Sequence, residues 1–170
     1  MLNGPMKLYN TLSKQKEPFI PLHPLNVGMY HCGPTVYWNQ HIGNMRAVVM
    51  ADLIKRSLIY NNYHVTLVRN YTDVGHLTGD NDGDADTGID RMAKAAEREQ
   101  TDPMVIAEKY ISQYEMDRMN LNTLPADITP RATEHIQEMI HLVEILLEKG
   151  FAYSTPLAIY FDVDKKEDYT

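Results

Sequence analysis

The fold is decided by residues 27–70, VGMYHCGPTVYWNQHIGNMRAVVMADLIKRSLIYNNYHVTLVRN. The run Val27–Cys32 mixes β-branched and aromatic residues and stops at a Gly-Pro pair, which predicts a short strand ended by a turn. From Gly43 onward apolar residues recur at three- and four-residue steps, with Lys55 on the polar side. This spacing predicts a helix that ends near Asn61.

The stretch His64–Asn70 follows that helix and is again β-branched and apolar, so we predict a second buried strand. Strand, helix and strand within about 45 residues have the size of one βαβ unit. The two strands of such a unit run parallel. The sequence therefore predicts an α/β fold built on a parallel sheet.

The segments on either side are predicted from proline, glycine and charge. Prolines up to Pro24 favour an extended lead-in that makes little core. Interleaved aspartates and glycines predict an acidic loop or flap at about residues 74–90, because this composition cannot pack. A helical segment is expected at about residues 91–150, with a helix start at residues 101–103.

The last predicted helix follows Thr129-Pro130 and carries one apolar face. The residues of this face are Ile136, Met139, Ile140, Val143, Leu146 and Leu147. Gly150 suits the C′ position that ends such a helix. Two short β-like runs, FAYS and AIYFDV, then predict a small β region before the charged tail at residues 164–170.

Composition limits the class of protein. The 170 residues are 44% hydrophobic and 23% charged, which is typical of one globular domain. The sequence contains no apolar run of membrane-spanning length and no signal-peptide pattern, so neither a membrane protein nor a secreted protein is expected. A single cysteine favours a reducing compartment, and we expect a cytoplasmic protein. The net charge of -7 argues against a general nucleic-acid binder.

Cys32 comes directly after the first predicted strand. In open α/β sheets, ligands bind at the carboxyl ends of the strands, so this position favours a functional thiol. A lone cysteine is more often a small buried hydrophobe, which is the alternative. The nearby His31 and His41 do not form a zinc-binding spacing with it. The local sequence leaves both roles open for Cys32.

The stretch His41-Ile42-Gly43-Asn44 opens the predicted helix. Backbone N–H groups and the helix dipole favour a phosphate at such a position, and Gly43 would let a ligand approach the backbone. The side chains of His41 and Asn44 can donate hydrogen bonds to phosphate oxygens. The alternative is ordinary capping by Asn44, with a histidine that has no function.

Five stretches, taken in order, carry a family resemblance. They are Leu8–Leu12, Gly28–Tyr37, His41–Asn44, Val68–Asp73 and Pro130–Thr133. In order and spacing they closely resemble the cysteinyl-tRNA synthetases, a family of class I aminoacyl-tRNA synthetases. The resemblance implies a Rossmann-type catalytic domain that activates L-cysteine with ATP and Mg²⁺ and transfers it to tRNA(Cys).

The resemblance implies a zinc-assisted cysteine pocket. Cys32 matches the first ligand of a Zn²⁺ ion that holds the substrate thiolate. The pocket itself would be lined by Gly33, Thr35 and Thr72. A thiolate bonds zinc far better than a hydroxyl does, so the metal would discriminate cysteine from serine.

The resemblance also implies an ATP site in the "HIGH" region. Its residues would be Pro34, His41, Gly43 and Asn44, with His41 and Asn44 in the catalytic role at the phosphates. Asn44 stands where the family motif has its last histidine, and its amide can still donate a hydrogen bond. The continuation after Thr72 departs from the common pattern, which leaves the roles of Asp73 and His76 open.

Several parts of the family pattern are not found in the sequence. These are the "KMSKS" loop, the other cysteine, histidine and glutamate ligands of the zinc ion, and the anticodon-binding region. We therefore expect residues 1–170 to be the N-terminal portion of the catalytic domain of a longer, monomeric enzyme. Alone, this portion is expected to be inactive and to hold zinc only weakly.

Two other functions remain open at this point. One is a related cysteine ligase of thiol biosynthesis, which joins cysteine to an amino sugar; dependence of the second half-reaction on tRNA separates the two enzymes. The other is a non-catalytic, synthetase-like fragment that binds a nucleotide or a partner.

Overall fold

The computed structural model describes residues 6–75, 91–156 and 158–166. The strands are β1 (Lys7–Asn10), β2 (Gln15–Pro18), β3 (Asn26–Tyr30), β4 (His64–Val68), β5 (Ala152–Ser154) and β6 (Ile159–Phe161). The helices are α1 (Ile42–Tyr60), α2 (Arg91–Glu99), α3 (Pro103–Asn120) and α4 (Ile136–Glu148). Apart from residues 74 and 75, the predicted acidic loop lies outside the described residues, as does the end of the charged tail.

The chain divides into two compact units. The first unit consists of Met1–Cys32, Gln40–Arg69 and Glu115–Thr129. The second consists of Gly33–Asn39, Asn70–Tyr114 and Pro130–Thr170.

The first unit contains the predicted βαβ unit. Strands β3 and β4 pair in parallel, and α1 connects them. The helix buries Val48, Ala51 and Leu58, which are 2–3% exposed, and β4 buries Leu67. The sequence prediction of an α/β fold with parallel strands is confirmed for this unit.

A further segment of the chain pairs in parallel with β4 in the first unit. Ile128 forms a parallel bridge with Val68. The Arg69 N–H donates to the Ile128 carbonyl at 2.9 Å, and the Asp127 N–H donates to the Leu67 carbonyl at 2.8 Å. The segment after α3 therefore continues the parallel sheet, although the sequence analysis placed it within a helical region.

Charged side chains of α1 hold this segment in place. The Lys55 ammonium donates to Asp127 at 2.8 Å and to the Pro125 carbonyl at 3.0 Å. Asp52 accepts from the Leu124 N–H at 2.7 Å. Lys55 is only 5% exposed, so the residue that periodicity placed on the polar side is buried in an ion pair.

The N-terminal lead-in differs from its prediction. It is not simply extended, because β1 and β2 form an antiparallel hairpin. The Asn10 side chain accepts a hydrogen bond from the Leu12 N–H at 3.0 Å, and Lys14 adopts a positive φ of 58°. An asparagine that bonds the backbone two residues on initiates a turn, a signal that the analysis of the prolines overlooked. Leu12 is 92% exposed, so the hairpin adds little core.

The second unit contains α2, α4, the β5–β6 hairpin and most of α3. A 3-10 helix, Ala132–His135, precedes α4. The predicted helix end is confirmed: Gly150 has a φ of 73° and donates to the Leu147 carbonyl, while Phe151 donates to the Leu146 carbonyl. Within the described residues, no helix is both long and apolar enough to cross a membrane.

Candidate active site

Cys32 lies just beyond the parallel strands of the first unit. The His31 N–H donates to the Val68 carbonyl at 3.0 Å, which extends the pairing of β3 with β4 by one residue. Cys32 follows and is exposed. The alternative of a small buried hydrophobe is therefore wrong, and the thiol is accessible at the carboxyl end of the strand.

A buried arginine fixes the residue before Cys32. The Nε–H of Arg69 donates to Nδ1 of His31 at 3.3 Å, and Arg69 is 1% exposed. Burial lowers the pKa of His31, the positive charge of Arg69 lowers it further, and the Ala47 backbone opposes both effects. Nδ1 of His31 is thus the hydrogen-bond acceptor of a neutral ring.

Arg69 is also incompletely paired. Its Nη1 is buried, and within the described residues it has no hydrogen-bond partner. Arg69 has no role predicted from the sequence, although a cation directly after a buried strand is a signal that the sequence contains. Arginine is almost never fully buried unless it is paired. A buried Arg69 whose Nη1 has no partner among the described residues is therefore unusual.

His41 caps α1. Its Nδ1 accepts hydrogen bonds from the Gly43 N–H at 3.0 Å and the Asn44 N–H at 3.4 Å. Capping is therefore done by His41, and the alternative of capping by Asn44 is wrong. The expectation that these two N–H groups are open to a phosphate is also corrected, because His41 occupies them.

Gly43 is required by this cap. A Cβ atom at Gly43 would lie 2.9 Å from Cε1 of His41, so any side chain would push the imidazole away. The space at Gly43 that was predicted to admit a ligand is filled by the His41 ring. His41, Gly43 and Asn44 are all exposed, so Nε2 of His41 and the Asn44 amide are available at the surface.

The second unit brings together the three residues predicted for the cysteine pocket. Oδ1 of Asn70 accepts from the Gly33 N–H at 3.0 Å, and Nδ2 of Asn70 donates to Oγ1 of Thr72 at 3.2 Å. Thr35 and Thr72 form a parallel bridge. Asn70, which has no role predicted from the sequence, is the side chain that connects Gly33 to Thr72.

The backbone around Thr35 completes this arrangement. The Thr72 N–H donates to the Pro34 carbonyl at 3.1 Å, and the Val36 N–H donates to the Thr72 carbonyl at 3.2 Å. Pro34 is buried, and Val36 has no exposed surface. The backbone of Pro34 thus has a structural partner, while Thr35 and Thr72 are half-buried.

Asp73 has a structural role in the second unit. It is 4% exposed and accepts from the Thr133 N–H at 3.0 Å and from the Thr133 hydroxyl at 2.6 Å. Both carboxylate oxygens therefore hold the start of the 3-10 helix. His76, the other residue whose role the sequence left open, lies outside the described residues.

Trp38 anchors the loop Gly33–Asn39 to two helices of the second unit. The Arg98 guanidinium lies 4.2 Å from the centre of the Trp38 ring, and the Tyr110 ring lies 6.2 Å away at 31°. The Glu99 carboxylate accepts from the Tyr110 hydroxyl at 2.9 Å. Hydrogen bonds from Lys109 and then Tyr110 lower the pKa of Glu99 to about 2.

The described residues do not make a complete metal site. Among them, no group of three or more histidine, cysteine, aspartate or glutamate side chains is placed to hold a metal ion. Zinc in proteins takes four ligands, or three and a water or substrate. Cys32 offers one soft donor of the right kind, so the described part of the chain does not by itself fit the implied zinc ion.

The family of the chain is shown by its sequence relatives. Residues 18–170 match the family model of tRNA synthetases class I (C) catalytic domain, and the chain belongs to this family of α/β catalytic domains. The relatives are more particular than the class. A cysteine–tRNA ligase from Phocaeicola vulgatus is 46% identical over 164 residues, which cover 96% of this chain and 32% of the relative.

Two further relatives bear the same name. Cysteine–tRNA ligase from Porphyromonas gingivalis is 45% identical over 96% of this chain and 33% of the relative. The enzyme from Deinococcus radiodurans is 46% identical over 98% of this chain and 33% of the relative. The chain thus spans about a third of the length of these curated relatives.

Proposed function

We propose that the chain is the first part of a cysteine–tRNA ligase, folded as a Rossmann-type domain. The complete enzyme activates L-cysteine with ATP and Mg²⁺ and passes it to tRNA(Cys). The observation that carries this proposal is the 46% identity, over 96% of the chain, to a relative of that name. The assembly of Gly33, Thr35 and Thr72 in the second unit supports it.

In this proposal, Thr72 and Thr35 contact the cysteine substrate. The Asn70 amide already donates to Oγ1 of Thr72, so the hydroxyl proton of Thr72 is directed elsewhere and can bond a substrate atom. Asn70 also holds the Gly33 backbone, which fixes the wall of the pocket before substrate arrives. Such preorganisation lowers the cost of ordering the pocket on binding.

Cys32 is proposed as one thiolate ligand of the zinc ion. Its exposure at a strand end makes the sulfur accessible, and the remaining ligands have to come from outside the described residues. Bound zinc would supply an attachment point that selects the thiol of cysteine over the hydroxyl of serine. Because the 170 residues contain a single cysteine and therefore no internal disulfide, we also infer that the enzyme works in a reducing compartment, the cytoplasm.

His41 and Asn44 are proposed to contact the ATP phosphates, next to Pro34 and Gly43 in sequence. Because Nδ1 of His41 accepts from the helix N–H groups, a neutral ring carries its proton on Nε2. This N–H is a donor for a phosphate oxygen. Transfer of the adenylyl group then depends on positioning and on charge stabilisation at the α-phosphate.

The test uses a full-length chimera, in which residues 1–170 replace the matched third of the Phocaeicola vulgatus relative. Cysteine-dependent ATP–pyrophosphate exchange is measured first, and then transfer to tRNA(Cys) or to an amino sugar. We expect the chimera to catalyse ATP–pyrophosphate exchange. His41→Ala should lower its kcat by about 10²–10³, whereas Lys14→Ala, at an exposed position, is the control and should not. Transfer to the amino sugar without tRNA would support the thiol-biosynthesis ligase instead, and absence of exchange would support the binding fragment.

A further inference from the structure

The apolar side of α4 is only partly covered in the described part of the chain. We use the term α4 face for Ile136, Met139, Ile140, Val143, Leu146 and Leu147. No residue of α4 is buried against the other described residues. Ile136, Met139 and Ile140 are 38%, 45% and 46% exposed. Val143, Leu146 and Leu147 are half-buried, so the α4 face is most open at its first three residues.

This exposure is not the result of a poorly formed helix. The N–H groups of Gly150 and Phe151 donate to the last carbonyls of α4 and close its end. The Glu134 carboxylate accepts from the Arg131 N–H and caps the preceding 3-10 helix. Helices of this length in proteins owe most of their stability to packing of an apolar face. The α4 face therefore has the pattern of a packing surface.

We propose that the α4 face packs against the part of a cysteine–tRNA ligase that lies outside the matched third of its length. The inference rests on the proposed function. Its second support is length: the chain covers only 32% of the Phocaeicola vulgatus relative, so two thirds of that enzyme are available to provide the cover. The polar residues Glu138 and His141 lie on the opposite side of the helix.

The chemistry of the α4 face specifies an apolar partner. Its six residues carry no charged or hydrogen-bonding side chain, so neither a nucleic acid nor a charged peptide gains specific contacts there. A helix or sheet of the same enzyme, apolar on one side, gains most from covering it. A second copy of the chain is the competing occupant, and the experiment separates the two.

The experiment compares Ile140→Asp with His141→Asp, which introduces the same residue one position along the same helix. Both variants are made in the chain alone and in the full-length chimera described above. In the chain alone, we expect the two variants to unfold at the same temperature, because both positions are exposed. In the chimera, we expect Ile140→Asp to lower the unfolding midpoint by several degrees and His141→Asp to leave it unchanged.

Hydrogen exchange of the α4 amides provides the second readout. We expect slower exchange in the chimera than in the chain alone, and Ile140→Asp should reverse that protection. Equal midpoints for the two chimera variants, or equal exchange in the chimera and the chain alone, would overturn the proposal. Dimerisation of the chain that Ile140→Asp abolishes would assign the face to a second copy and overturn it as well.

The two proposals fail in different ways. Protection of α4 in a chimera without ATP–pyrophosphate exchange would contradict the proposed function and leave the packing inference standing. ATP–pyrophosphate exchange by a chimera whose α4 amides are unprotected would support the proposed function and contradict the packing inference. If the chimera does not accumulate, the tagged chain is co-expressed with the remaining two thirds of the relative. Capture that Ile140→Asp abolishes and His141→Asp preserves supports the proposal, and capture that is equal or absent overturns it.

Discussion

Lys55 contacts the segment after α3 that pairs in parallel with β4 in the first unit. Lys55 is 5% exposed, and its ammonium has two partners, Asp127 and the Pro125 carbonyl. Asp127 also accepts from the Leu67 N–H at 2.6 Å, so one carboxylate connects α1, β4 and the segment after α3. Removal of either charge would leave a polar group without its main partner.

We expect Lys55→Met to destabilise the chain by about 1–3 kcal/mol. The methionine fills most of the volume of the lysine but leaves the Pro125 carbonyl without its donor and Asp127 without its counter-charge. Urea unfolding followed by circular dichroism measures the change. Lys149→Met, at an exposed position, is the control and should stay within 0.5 kcal/mol, roughly the range for surface changes. A cost as small as that of the control would show that the buried ammonium contributes little.

The same pair predicts a pH dependence. The hydrogen bond from Lys55 and then that from the Leu67 N–H hold the pKa of Asp127 below its ordinary value. The stabilisation is therefore complete above the unfolded pKa, near about 4, and is lost as pH falls through the lower folded pKa. Asp127 is 45% exposed, so the effect should be less than about 1 kcal/mol.

Asp127→Asn should remove this part of the pH dependence. The loss of unfolding free energy between pH 6 and pH 2.5 should be smaller in Asp127→Asn than in the parent chain. Glu148→Gln, an exposed carboxamide control, should keep the full loss. An identical loss for Asp127→Asn and the parent would show that the ion pair with Lys55 does not contribute.

Partners that are far apart in the chain cannot be predicted from local sequence patterns. Lys55 and Asp127 are 72 residues apart, and Gly33 and Asn70 are 37 apart, so no local spacing connects them. Periodicity records only that Lys55 is charged, which indicates an exposed position. The order of the family motifs did identify Gly33, Thr35 and Thr72 as a set. The Asn70 hydrogen bonds that connect Gly33 to Thr72 are seen only in the folded structure.

At the scale of elements, the strongly periodic parts were predicted best. The βαβ unit, the α4 helix with its end at Gly150 and two short strands after it, β5 and β6, are all present. The β1–β2 hairpin was missed because its signal is one asparagine side chain rather than a periodic pattern. The site loop Gly33–Asn39 was predicted as a turn, without the helices that hold it.

The stack of Arg98 on Trp38 should provide measurable coupling between α2 and the site loop. Arg98 and Trp38 are about half exposed, so we expect a coupling energy of about 0.5–1 kcal/mol. A double-mutant cycle with Trp38→Leu and Arg98→Met measures it by chemical unfolding. Arg98→Lys keeps the cation and should retain part of the coupling. A coupling energy near zero would mean that Arg98 covers the ring without holding the loop.

At the scale of the whole molecule, the chain and the enzyme proposed for it should differ in their ability to hold a metal ion. Cys32 is exposed, and no group of three ligands lies among the described residues. The chain supplies one proposed zinc ligand, whereas a tetrahedral site requires several donors.

We therefore expect residues 1–170 to lose zinc on dialysis and the chimera to keep about one zinc ion per chain. Metal analysis of both proteins after dialysis tests this difference. Cys32→Ser in the chimera should lower the zinc content, while Ser57→Ala should leave it unchanged. Stoichiometric zinc in the dialysed chain would show that residues 1–170 already contain a full ligand set.

Residues 1–170 are proposed to carry cysteine-recognising parts of a cysteine–tRNA ligase. The most direct measurement is ATP–pyrophosphate exchange by the chimera with cysteine and, separately, with serine. We expect a kcat/KM for cysteine that exceeds that for serine by at least about a hundredfold, and the loss of that preference in Cys32→Ser. Exchange that does not distinguish the two amino acids, or a preference that Cys32→Ser leaves intact, would contradict it.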